Sequence, residues 1–472
     1  MKKQGFNPYL PSWEYIPDGE PYVFDDRVYV YGSHDKFNGY AYCLNDYVTW
    51  SAPVDNLADW RYEGVILKAT DVEDNEDRDS CLYAPDVAVG PDGRYYLYYV
   101  DSKRSIVSVA VCDTPAGEYK FHGYVQYADG TRLGEREQDE PQFDPGVLVE
   151  GDKVYLYTGF CAVGDKSRSG VMATVLSSSD MITIIEDPVI VAPSEPYSKG
   201  SGFEGHEFFE APSIRKRGDI YYLIYSSVLM HELCYATSKH PTKGFEYRGT
   251  IVSNCDMGIS TYKPADKPMA YGGNNHGSIV EIKGKWYVFY HRHTNGTNYS
   301  RQACLEEITF LDDGTIPQVE MTSCGSNNGP LRGLGEYYAY IACNLFCDEE
   351  SVYTDFTGSW MNNQFPKITQ DGRDGDEEIG YIANMKTSAT AGFKYFDCKG
   401  VKRIRIKVRG YCKGDFEIKT SWNGPVLGKI PVAFSNVWKE YLADIEIPDG
   451  VHALYITYKG EGSASLASFT LE

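Results

Sequence analysis

Four ionisable residues, Asp18, Asp144, Glu210 and His276, stand at matched places in a repeated pattern. Asp18, Asp144 and His276 each precede a tyrosine of that pattern by eleven residues, and Glu210 precedes one by twelve. Carboxyl groups gathered into one enclosed place raise one another's pKa. One can then stay protonated at neutral pH as a general acid while another stays ionised as a base. Cleavage of a glycosidic bond uses such a pair. Two other uses fit the same residues. Converging carboxylates suit Ca²⁺, and acidic residues at strand starts satisfy backbone N–H groups.

The elements that must position these groups are read from the tyrosines. DDRVYVYGS carries Tyr29, DGRYYLYYV Tyr96, GDKVYLYTG Tyr155, RGDIYYLIYSS Tyr222 and KGKWYVFYH Tyr287, at intervals of 59 to 67 residues. Each copy is a short polar turn followed by an apolar or alternating strand. Each is preceded by another β-rich run, respectively PYVF, DVAV, GVLV, SIRK and SIVEI. Run, turn and strand read as a β-hairpin. Further strand-like pieces such as SIVSVAVCD, GVMATVLSS and HELCYATS lie between copies, and helical periodicity is nearly absent. Five units, each able to supply four strands, predict an all-β, five-bladed β-propeller. In that fold the inner strands converge on one axis, so residues just before them share one mouth.

The repeat ends near residue 325, and the Gly/Asn/Pro-rich SNNGPLRGLG that follows reads as a boundary. RIRIKVRG then alternates charged and apolar residues, and FEIKTSW and ALYITYKG continue the pattern. The expected organisation is a propeller over 1–325, a linker over 326–349 and a β-sandwich, jelly-roll-like, over 350–472.

A net charge of −22 argues against nucleic acid, anionic membranes and polyanionic glycans as partners. A small neutral substrate fits. Forty tyrosines suit both strands and sugar-binding surfaces. MKKQGFNPYLPSWEY lacks the apolar run of a signal peptide, and no stretch of 18 apolar residues occurs. The twelve cysteines form no CxxC pair and read as reduced thiols. A cytoplasmic protein is expected. Oligomeric state is not legible.

The five hairpins and the segments carrying the acids resemble glycoside hydrolase family 43 from residue 5 to about 320. The resemblance implies a five-bladed propeller and an inverting β-xylosidase, α-L-arabinofuranosidase or arabinanase activity. It implies no cofactor for the chemistry, with structural Ca²⁺ on the propeller axis or in the second domain. NPYLPSWEYIPDGEPYVF resembles the opening that carries the general base. The family's Asp-Pro is replaced here by Asp18-Gly19, with Glu20-Pro21 beside it, so Asp18 is the candidate and Glu20 its rival. QFDPGVLVEGDKVYLYTG is similar to the motif whose aspartate tunes the acid, here Asp144. FFEAPSIRKRGDIYYLIYSS is similar to the motif of the general acid, here Glu210. GGNNHGSIVEIKGKWYVFYH implies an axial, cation-contacting histidine, His276. Arg301 falls at a substrate-binding arginine, and YAPDV brings Tyr83 and Asp86 near the pocket.

Other residues carry weaker signals. His34 and Asp35 are expected to pair and close a turn, and HRH at 291–293 to be strand-end residues. His206 and Glu207 either line the sugar site or shape the loop before Glu210. The last domain resembles a family 6 carbohydrate-binding module, with Trp422 and Trp438 as candidate sugar platforms. These readings favour exo-action on short oligosaccharides. A sugar-binding propeller without chemistry is the alternative, supported by the Asp18-Gly19 departure.

Overall fold

The computed structural model describes residues 3–348 and 365–472. Five antiparallel sheets follow one another along the chain. Their inner strands are Glu20–Phe24, Asp86–Val89, Gly146–Glu150, Phe208–Arg217 and Ser278–Ile282. Each pairs with the strand that carries the repeated tyrosine: Tyr22 faces Tyr29, Ala88 Tyr96, Leu148 Tyr155, Arg215 Tyr222 and Val280 Tyr287. The protein is a five-bladed β-propeller followed by a β-sandwich-like domain.

Blades one to four have four strands, and blade five has three. The N-terminal segment runs beside the third strand of blade five, Arg301–Ile308. Tyr9 N–H donates to the Ala303 carbonyl at 3.1 Å. The Asn7 side chain accepts from Leu305 N–H at 3.0 Å and donates to the Leu305 carbonyl at 2.9 Å. One amide side chain thus makes the two bonds a fourth strand would make, which closes the ring. Blades one and five also meet through a parallel bridge between Gly19 and Gly277. A Cβ on Gly277 would lie 1.8 Å from the Phe289 carbonyl oxygen, so only glycine permits this approach.

The segment 326–349 is more than a linker. Leu331–Arg332 and Asn344–Cys347 pair with Ala389–Cys398, and Gly335–Tyr338 pairs with Gly450–Leu471. These strands of two to four residues are too short to show a period in sequence. Their buried Leu331, Tyr337 and Phe346 nevertheless hold them to the second domain. That domain is built on two long strands, Arg403–Lys419 and Gly450–Leu471, which pair along most of their length. The start assigned to it at residue 350 lies outside the described residues.

The second domain docks on the propeller through polar groups. Arg292 of blade five donates to the carbonyl oxygens of Ala342 at 2.6 Å and Tyr340 at 2.5 Å. Fully buried Lys394 reaches across to Asp256 at 2.9 Å and Glu320 at 3.3 Å, with the Tyr262 ring 3.9 Å away. Removing one partner of a buried pair leaves the other charge uncompensated. Lys394→Ala should therefore lower unfolding free energy by about 3–5 kcal/mol, read by chemical denaturation.

Candidate active site

Turn geometry puts the acids at the mouth. Four residues before each tyrosine-facing position stand Asp18, Ala84, Asp144, Ala211 and His276. The blade-two hairpin is one residue longer, so its matched position, Ala84, lies twelve residues before Tyr96 rather than eleven. Asp18, Asp144 and Ala211 all have left-handed backbone, with φ of 60°, 44° and 67°. Non-glycine residues pay for that conformation, and such strain collects at functional sites. In blade four the ladder slips between Phe208 and Glu210 and again before Ser213. This bulge turns Glu210, one residue out of register, toward the axis.

The mouth is a pocket of about 210 Å³. Asp18, Asp144, Glu210, His276, Arg301 and Tyr83 line it. Tyr83, Phe143, Phe160 and Phe209 make a continuous aromatic wall, with successive ring centroids 4.9, 5.4 and 5.3 Å apart. Cys43, Tyr42, Ala84 and Asn274 complete the lining.

Arg301 organises the charged side. Its guanidinium donates to Asp18 Oδ1 at 2.9 Å and holds both oxygens of buried Asp35, each at 2.9 Å. Asp35 thus clamps Arg301 and does not pair with His34, which bonds Glu14 at 2.9 Å. Ser33 Oγ–H donates to Asp18 Oδ2. His291 Nδ1 lies 3.3 Å from Asp18 Oδ1, so the HRH run contributes a site neighbour. Burial pushes the Asp18 carboxyl up, but Arg301 and His291 outweigh it and hold Asp18 well below the usual carboxylate range. Glu210 is pushed up to about 7 by burial and then by the Asp18 charge, against weaker opposition from Asn274 and Arg301. Its contact with Asn274 Nδ2 is long, at 3.4 Å. Asp144 is raised well above its ordinary value by burial, then by Glu210 and Asp18. The charge that lifts Glu210 is therefore that of Asp18, whereas Asp144 is itself lifted. Asp144 is tied to the Glu210 segment through the backbone N–H of Ala211.

His276 sits between two layers of acid. Its Nδ1 is 3.9 Å from Asp18 Oδ1 and 3.8 Å from Asp144 Oδ2, and its Nε2 is 3.9 Å from Glu20 Oε1. Burial lowers its pKa to about 4, helped by His291 and Arg301 against Asp18, so it is neutral at pH 7.

Three expected site residues lie outside the lining. Glu20 is beneath the pocket, where Arg215 and Ser213 bond its Oε2. Burial raises it to about 8, with Arg215 opposing. Asp86 is fully buried and accepts from Tyr22 O–H and from Val87 and Val147 N–H, each at 2.7 Å, so it ties blades one, two and three together. His206 pairs with Glu232 at 2.6 Å, and Glu207 accepts from Ser198 and Gly205 of its own loop. Both shape the loop before Glu210. In the second domain, Trp422 packs against buried Met269, Phe346 and Tyr455. Trp438 has Arg409 4.3 Å over its ring. Neither tryptophan is an open platform. Phe143, Phe160, Phe209, Asn274 and His291 were missed. The aromatic residue beside each acid, in FDP and FFE, was the available signal for two of them.

The profile of the glycosyl hydrolases family 43 matches residues 17–316. The chain is 76% identical over 471 residues to a protein of Thermoclostridium stercorarium named xylosidase/arabinosidase, covering 100% of this chain and 99% of that one. Among solved structures it is similar to a family 43 β-xylosidase/α-arabinofuranosidase from a compost microbial metagenome, in complex with xylotriose. That likeness has 27% identity, a TM-score of 0.52, and covers 68% of this chain and 98% of that one. A second likeness extends to the last domain: a family 43 arabinoxylan arabinofuranohydrolase from Bacillus subtilis. It has 19% identity and a TM-score of 0.53, and covers 99% of this chain and 97% of that one. Match, pocket and paired carboxyls agree: the chain belongs to glycoside hydrolase family 43 and is a glycosyl hydrolase.

Proposed function

We propose that the enzyme removes single terminal β-D-xylosyl or α-L-arabinofuranosyl residues from short oligosaccharides, with inversion. The observation that carries this is the pocket itself: about 210 Å³, one wall aromatic, the other carrying two carboxyls of opposite protonation. A space that small suits one sugar ring, which fits action on a single terminal residue. The relatives are named as xylosidases and arabinosidases, which supports a pentose.

Glu210, protonated near neutrality, gives its proton to the leaving oxygen. Asp18, ionised, takes a proton from the water that attacks the anomeric carbon on the opposite face. Asp144 positions Glu210 through Ala211, and Arg301 positions Asp18 and keeps it ionised. The aromatic wall offers its faces to the apolar side of the sugar.

A structural Ca²⁺ on the axis is supported by one feature. Glu20 Oε1 is a buried oxygen with no hydrogen-bond partner, and His276 Nε2 faces it at 3.9 Å. Calcium takes six to eight oxygens, so waters would supply most of the shell. Held there, the ion would add positive charge below the pocket, while the proton transfers stay with Glu210 and Asp18.

Glu210→Ala should lower kcat on unactivated xylo- or arabino-oligosaccharides by about 10²–10⁴-fold and spare nitrophenyl glycosides more. Full activity of this variant on the oligosaccharides would remove Glu210 from the acid role. Asp18→Asn should abolish turnover on both substrate types, whereas Glu20→Gln should keep measurable turnover; the reverse ranking would move the base to Glu20.

The pH profile supplies a separate check. Activity needs Glu210 protonated, so kcat/KM should fall as pH rises through about 7. It needs Asp18 ionised, and the low-pH limb should lie well below the usual carboxylate range. Arg301→Met removes the main group opposing burial, so the Asp18 pKa rises. The low-pH limb should then move up by about 1–3 units. A limb that stays in place would exclude Asp18 as the group it reports.

A further inference from the structure

Blade four holds a second convergence of ligating side chains, away from the pocket lining. His206, Glu232 and Cys234 each present one donor atom, and these atoms lie within 4.8 Å of one another. Glu232 and Cys234 are two apart on the strand Glu232–Ser238, so they share a face. His206 comes from the loop that leads into Phe208–Arg217. Its Nδ1 is 2.6 Å from Glu232 Oε1 and 4.0 Å from Cys234 Sγ.

The three groups are held by their surroundings. The His206 ring stacks on Tyr247, with centroids 4.7 Å apart and planes 12° apart. Ser227 Oγ–H donates to Glu232 Oε1 at 2.6 Å, and Thr250 Oγ1–H to Oε2 at 2.8 Å. Glu232 and Cys234 are buried, while the His206 side chain is 34% exposed, which leaves an approach from solvent. Preset orientation by outer partners is what a metal site requires of its ligands.

We propose that His206 Nδ1, Glu232 and Cys234 Sγ form a binding site for a thiophilic divalent cation of the Zn²⁺ class, with solvent as the fourth ligand. A tetrahedral Zn²⁺ with bonds of about 2.0–2.3 Å sets its ligand atoms roughly 3.3–3.6 Å apart. The observed 2.6 and 4.0 Å bracket that spacing, and all three donor atoms lie within 4.8 Å of one another, so shifts of about 1 Å complete the shell. One nitrogen, one carboxylate and one sulfur select against Ca²⁺ and Mg²⁺, which take oxygen ligands.

Binding moves protons in a defined way. Cys234 loses its thiol proton to solvent and binds as thiolate. His206 binds as neutral imidazole with its N–H on Nε2, so a charged His206 also releases a proton. Glu232 is already an anion. Burial and then Glu232 hold the Cys234 thiol up, and the hydrogen bond to Glu232 raises His206. Affinity therefore rises with pH. The alternative is a plain His206–Glu232 hydrogen bond beside an inert buried thiol.

The test is titration of the metal-free full-length enzyme with Co²⁺, an optical stand-in for Zn²⁺. A near-ultraviolet thiolate-to-cobalt charge-transfer band should grow to one equivalent, strengthen between about pH 6 and 8, and be displaced by Zn²⁺. Cys234→Ser should lose the band, and His206→Gln should weaken binding by at least about tenfold. His206→Gln alters a partly exposed side chain, so it tests the site even if Cys234→Ser does not fold. Absence of the band, or a band of equal strength and affinity in His206→Gln, overturns the proposal.

Discussion

The contact between Arg301 and Asp18 makes the pocket chemically asymmetric. Asp18, Asp144 and Glu210 are all buried, and burial by itself would push all three toward the neutral acid. Arg301 is the permanently charged cation among the lining residues, and it bonds Asp18 directly. Asp18 therefore keeps its charge, and that charge in turn helps hold a proton on Glu210. The proposed base and acid are thus set apart by one guanidinium. Asp35 fixes it with two hydrogen bonds, so the charge on Asp18 depends on a residue that lies outside the pocket lining.

Blade five carries much of this arrangement and also much of the docking of the second domain. Along the strand Lys285–His293, neighbouring side chains point to opposite faces. His291 turns toward Asp18, while Arg292 turns outward to the Tyr340 and Ala342 carbonyls. The next strand begins at Arg301 itself, and the N-terminal segment closes the ring against that strand through Asn7 and Tyr9. Ring closure, domain docking and orientation of Asp18 therefore share one sheet. That gives the second domain a structural connection to the chemistry whether or not its own surface meets sugar.

His276 is the axial spacer between the pocket and the core. Neutral at pH 7, it separates Asp18 and Asp144 above from Glu20 below, each at nearly 4 Å. Below it, Glu20 and Arg215 form a buried pair, and Asp86 spends its oxygens on Tyr22 and two backbone N–H groups. These deeper acids hold the inner strands of different blades together. Their acidity resembles that of the pocket residues in sequence, and their depth along the axis separates the two roles.

The amino-acid sequence by itself determined the blade count, the hairpins and the inner-strand register of every blade but the second, because strand pairing imposes a local period that the five tyrosines repeat. It also marked Asp18, Asp144 and His276, since equal offsets from a paired residue must end at equal heights on the axis. Tertiary structure decided the rest. Glu20 is two residues from Asp18, yet depth alone removes it from the pocket. The bulge that carries Glu210 to the mouth depends on pairing with Ser226 and Ser227. The clamp of Asp35 on Arg301 joins residues 266 apart in the chain. The strands within 326–349 exist only because a distant sheet edge receives them. Periodicity is local and can be read along the chain, whereas depth, charge pairing and edge contacts arise between segments that meet only after folding.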